Sequence, residues 1–93
     1  MPLRFAWDAG KAKTNLRKHG VSFGEAATAF EDPLSLTIPD PDHSAEEDRF
    51  ILIGRSHQEH LVVVAHVERD ETIRIISARA ASRRERTAYE EGQ

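Results

Sequence analysis

Histidine, glutamate, tyrosine and a group of arginines crowd together between residues 60 and 89, HLVVVAHVERDETIRIISARAASRRERTAY, and no other part of the chain offers a comparable set. His66 interrupts a run of valines that would pack better, and imidazole is the side chain that titrates near neutral pH, so it can give or take a proton. Glu68, two residues on, can pair with it or act as the base itself. Arg79 stands where a strand runs into a turn before Ser82. A guanidinium there can hold a phosphate bidentately, with the N–H groups of a following helix close by. Arg74, Arg83, Arg84 and Arg86 add positive charge, and Tyr89 is a further proton donor. Acid–base chemistry on a phosphate is what such a set could do. Each residue also has a plainer use. His66 can be a satisfied core histidine, Glu68 a solvated hairpin residue and Arg79 one half of a structural ion pair. The three later arginines can be a solvated helix face, and Tyr89 an anchor for that helix.

The elements that would position these groups follow from periodicity and capping. Residues 5–7 read as an edge strand, and Asp8 as the N-cap of a helix over 9–19, with Ala12, Leu16 and Asn15 inward and Gly20 as its C′ residue. Ser22-Phe23-Gly24-Glu25 is a capping box that opens a second helix, with Phe23, Ala26, Ala27 and Phe30 on its buried face. Pro33 ends that helix, because the residue before a proline is pushed out of the α region. Residues 34–38 alternate as a half-buried strand. Residues 49–56 and 61–69 are apolar enough for central strands with two covered faces. Asp70-Glu71 closes a hairpin to a last strand over 72–79, and Ser82-Arg83-Arg84-Glu85 opens a C-terminal helix to about residue 91. The order β-α-α-β-β-β-β-α predicts an α+β domain spanning residues 1–93, a small antiparallel sheet with grouped helices. With a two-residue hairpin loop, Val62 opposes Arg79, His66 opposes Ile75 and Glu68 opposes Ile73. His66, Glu68, Ser77 and Arg79 then share one face, and Arg69, Arg74 and Ile76 the other. A one-residue bulge would exchange these sets.

Composition narrows the classes. The chain has 93 residues, no cysteine and net charge −3, so disulfides, thiolate nucleophiles and zinc-ribbon sites are excluded. The net charge disfavours indiscriminate nucleic-acid binding, but the charge is uneven: every charged residue between 25 and 48 is acidic. The acidic loop 39–48 can be solubilising or can contact a partner, and the residues leave both open. No apolar run is long enough to span a bilayer, so a soluble cytoplasmic protein with no membrane association is expected. His43, His57 and His60 invite a metal reading, but no close ligand set accompanies them. Neither a metal nor another cofactor is expected. LRKHGVSFGEAATAF has the cadence of a helix-turn-helix, yet its second helix would present Glu25, Glu31 and Asp32 to a groove and nothing to read a base edge. An αα corner covering the sheet is the better reading.

Four blocks carry a resemblance: FAWD, NLRKHGVSFGEAATAFEDPL, DPDHS-x-x-x-DRF-x-x-IG and RIISARAASRRERTAYE. From Phe5 to Tyr89 they resemble the BrnT toxins of type II toxin–antitoxin systems. The resemblance implies a RelE-like fold and a ribonuclease that blocks translation. It also implies neutralisation by a BrnA antitoxin in a heterotetramer of two toxins and two antitoxins, with operator DNA bound only through the antitoxin. On that footing a metal-independent endoribonuclease would use His66 or Glu68 as base toward a ribose 2′-OH. Arg79, helped by Arg74 or Arg83, would stabilise the phosphorane, and His66 or Tyr89 would protonate the leaving oxygen. The alternative is a non-catalytic module whose Arg-rich C-terminal region, Arg83, Arg84 and Arg86 included, binds an acidic protein partner or nucleic acid.

Overall fold

The computed structural model describes residues 3–43, 45–46 and 48–92; Ser44 and Glu47 of the acidic loop lie outside the described residues. The elements run β1 (Arg4–Ala6), α1 (Ala9–His19), α2 (Phe23–Thr28), β2 (Leu36–Pro39), β3 (Arg49–Arg55), β4 (Leu61–Arg69), β5 (Thr72–Ala80) and α3 (Arg83–Glu91). Short 3₁₀ turns at Ala29–Glu31 and Pro41–His43 extend α2 and follow β2. The α+β order read from the sequence is the order observed. The strands form one sheet, β1-β5-β4-β3-β2. The last four strands are an antiparallel meander, whereas β1 lies parallel to β5, pairing Phe5 with Ile73, so the sheet is mixed at that edge.

Caps set the helix ends as the residue types demand. Asp8 accepts from the Lys11 N–H at 2.8 Å, and Gly20 closes α1 in the left-handed region at φ 73°. Ser82 and Glu85 form a full capping box on α3. At α2 only half of the expected box forms. Ser22 accepts from the Glu25 N–H, but the Glu25 carboxylate leaves the helix to accept from Ser56 and meet His60.

Both faces of the central strands are covered. Val21, Phe23, Ala26 and Ala29 bury Leu52, Val62, Val64, Ile73, Ile75 and Ala78 on one face. Tyr89 of α3 packs with Ile53, Leu61 and Val63 on the other. One inward residue of α1 differs from expectation: Leu16 is 50% exposed and Asn15 is 6% exposed. The amide of Asn15 can bond to backbone at the sheet edge, which no leucine can do, and that bonding decides which residue turns inward.

The hairpin register is corrected by a bulge. The Asp70-Glu71 turn has two residues, both at positive φ, and His66 opposes Ile75 and Glu68 opposes Ile73 as expected. Between Ala65 and His66 the register shifts: Ala65 opposes Ser77 and Val63 opposes Arg79, leaving Ile76 as the extra residue. One inserted residue reverses the parity of everything beyond it. Ser77 and Arg79 therefore turn to the α3 side of the sheet, away from His66.

Candidate active site

On the α3 side, Arg49, Ile51, Val63, Ala65, Ser77 and Arg79 floor and flank a cleft of about 200 Å³. The turn after β2 closes it with Asp40, Asp42 and His43. Asp40 organises this end. Its side chain is 5% exposed, and one carboxylate oxygen accepts from the Arg49 Nε–H at 3.3 Å and lies 3.2 Å from His43 Nδ1. The other oxygen accepts from the Asp42 N–H at 3.0 Å. A carboxylate only accepts, so Nδ1 carries the proton of His43 and Nε2 is left as the basic nitrogen. His43 is 43% exposed at its side chain, within reach of a bound molecule.

Arg79 stands opposite, held by Glu85 of α3. The pair is bidentate, with Nη1 and Nη2 donating at 2.7 and 2.8 Å, and Nη1 also donates to the Ala80 carbonyl. Glu85 in turn accepts from the Ser82 N–H at 2.8 Å. The anion at the start of α3 is therefore the protein's own carboxylate. Of the five guanidinium N–H groups, Nε–H and one Nη2–H remain, the edge that an oxyanion takes side-on.

The bond from Arg79, opposed by burial and reinforced by the Ser82 N–H, holds the Glu85 carboxyl down to about 2. A depressed carboxyl contributes stability that is present above its unfolded pKa and is lost as pH falls through the folded one. Glu85→Gln is accordingly expected to flatten the acid limb of stability between about pH 5 and pH 2, by about 1 kcal/mol for so exposed a pair. Urea unfolding at several pH values measures this, and an unchanged acid limb would contradict it.

The other candidates read from the sequence lie elsewhere. His66 is wholly buried on the opposite face, edge-on to Phe30 and stacked near Phe50. Its Nε2 meets Glu68 at 2.8 Å and its Nδ1 the Val64 carbonyl at 3.2 Å, so both nitrogens are engaged inside the protein. Tyr89 is buried, and its hydroxyl donates to Asp32 at 2.6 Å. Burial, then that carboxylate, push the phenol up. Asp32 is lowered despite the opposing effect of burial, because Tyr89 and the Arg55 and Leu34 N–H groups all bond to it. Arg74 shares the cleft's face, in line with Arg49 through Val67, without lining the cleft. Arg83, Arg84 and Arg86 lie on α3, outside the cleft lining. Among the described residues no group of three His, Cys, Asp or Glu side chains is placed to hold a metal.

His43, Asp40 and Arg49 line this cleft without having been singled out in the sequence as acid–base candidates. The available signal was the D-x-x-H spacing within DPDH, followed by Arg49 at the start of a strand. A family model described as "Ribonuclease toxin, BrnT, of type II toxin-antitoxin system" matches residues 7–85. The chain belongs to the BrnT family. The crystal structure of the Brucella abortus ribonuclease toxin, BrnT, is similar at a TM-score of 0.70 and 27% identity, covering 88% of this chain and 100% of that one. No curated protein matches by sequence. Membership makes the chain a ribonuclease toxin of a type II toxin–antitoxin system, and such a system implies an antitoxin partner. No helix among the described residues is long and apolar enough to cross a membrane.

Proposed function

We propose that the protein is a metal-independent endoribonuclease that cleaves RNA in the cleft between His43 and Arg79, and thereby inhibits translation until a BrnA-type antitoxin neutralises it. The observation that carries this reading is the Asp40–His43 pair, tied to Arg49 and facing Arg79 across one cleft. His43 Nε2 takes the proton of a ribose 2′-OH, and the 2′ oxygen attacks the adjacent phosphorus. Arg49 and the open edge of Arg79 stabilise the charge that develops on the non-bridging oxygens. The bond from phosphorus to the 5′ oxygen breaks, and water protonates that oxygen. The products are a 2′,3′-cyclic phosphate and a 5′-hydroxyl.

His66, Glu68 and Tyr89 are assigned to holding the sheet and α3 in place, because their polar atoms are engaged away from the cleft. Arg74, Arg83, Arg84 and Arg86 contribute field rather than contact. The antitoxin is assigned the DNA binding, in an assembly of two toxins and two antitoxins.

RNA cleavage by protein freed of antitoxin, in excess EDTA, tests the reading, with Arg79→Ala prepared identically. Cleavage by wild type, falling by about 10²–10³-fold in the variant, is expected when a donor to the developing charge is lost. Equal cleavage by both would remove Arg79 from the reaction. Absence of cleavage by either, on free RNA and on translating ribosomes, would favour a binding module.

A further inference from the structure

A groove of about 510 Å³ lies between α1 and β5, lined by Lys11, Thr14, Lys18, His19, Ile76 and Ser77. Ser77 also lines the candidate active site, so the groove and the cleft meet at the β5 edge. β1 covers β5 only from Thr72 to Arg74 and Asn15 caps the edge at Ala78, so the stretch between them has no strand alongside it. Lys11 and Lys18 are seven residues apart, two turns of α1, which places their ammonium groups along about 10 Å of one wall. Neither they nor His19 enters an ion pair with a described residue. The acid on the rim, Asp8, is already bonded to the Lys11 N–H as a helix cap. Immediately before it in the chain, and outside the groove lining, Trp7 is 39% exposed while its indole packs edge-on to Phe23.

Cations without an ion-pair partner among the described residues, with a partly exposed aromatic nearby in the chain, suit a single strand, the cations along the backbone and the ring under a base. We propose that this groove binds the stretch of single-stranded RNA that flanks the scissile phosphate, reaching the cleft past Ser77. The inference rests on the assignment of that cleft as the place of cleavage. An acidic segment of the antitoxin would need the same cations, but the exposed indole and the junction with the cleft favour a nucleic-acid strand.

Binding of fluorescent 2′-O-methyl oligoribonucleotides by protein freed of antitoxin tests this, since they lack the attacking hydroxyl and stay intact. Against Lys11→Glu/Lys18→Glu, a twelve-nucleotide strand should bind about tenfold more weakly or worse. Its affinity should also depend on salt with a slope shallower by about 1.4, from two lost phosphate contacts. A dinucleotide, which carries only the phosphate to be held in the cleft, should bind equally to variant and wild type. Unchanged twelve-nucleotide binding, or equal loss for both lengths, overturns the proposal. So does a variant that keeps the RNA and loses only the antitoxin, which would make the groove a protein interface. If His43→Gln and Arg79→Ala both cleave normally while the lysine variant loses the long strand, the cleft assignment fails and the groove stands.

Discussion

His43→Gln is expected to lower the rate of RNA cleavage by about 10²–10⁴-fold, the usual worth of a positioned general base, while leaving the unfolding midpoint within a degree or two. The side chain is half in solvent and among the described residues it bonds only to Asp40, so glutamine can take the same place without a cavity. What glutamine lacks is a nitrogen that accepts a proton. His66 makes the opposite prediction. It is buried between Phe30 and Phe50 with both nitrogens bonded, so His66→Leu should lower stability and leave the folded fraction able to cleave. Measuring both quantities on both variants separates a reacting histidine from a packing one. Wild-type cleavage by His43→Gln would remove it from the reaction, whatever the result for His66.

The contrast between these two histidines shows how far the sequence was legible. Element order, helix caps and the central place of residues 49–55 and 61–69 follow from local rules: alternation, capping residues, proline and Gly20. The bulge at Ile76 does not, because a strand with one extra residue reads like any other strand until its partner is known. That single residue moved Arg79 away from His66 and toward Arg49. The Asp40–His43 pair was hidden for a different reason. Its residues lie in an acidic loop with no periodicity, and only the 3₁₀ turn at Pro41–His43 brings the imidazole back onto the carboxylate. Bringing that pair opposite Arg79 depends on strands β2, β3, β4 and β5 pairing side by side, contacts far apart in the chain. The parallel edge strand was illegible on the same ground, since Phe5 meets Ile73 across the whole length of the intervening fold.

Asn15→Ala is expected to destabilise the protein by about 3 kcal/mol, from the usual 1–3 kcal/mol for each buried polar group left without a partner. The asparagine amide donates to the Val21 carbonyl at 2.9 Å and the Ala78 carbonyl at 2.8 Å, and its oxygen accepts from the Ala78 N–H at 3.1 Å. β1 has ended before Ala78, so Asn15 stands in for the missing strand and satisfies both backbone groups of that residue. Alanine leaves them facing α1 with no donor or acceptor in reach. For a domain of this size the loss corresponds to a fall in Tm of roughly 12–24 °C. Asn15→Asp should do no better, since a carboxylate keeps the bond from the Ala78 N–H but turns a second oxygen toward two carbonyls. A loss below 1 kcal/mol for Asn15→Ala, read from urea unfolding, would mean that water reaches this edge and that α1 is held by its apolar contacts alone. In that event the groove between α1 and β5 would also be a loose one, because the same helix forms its wall.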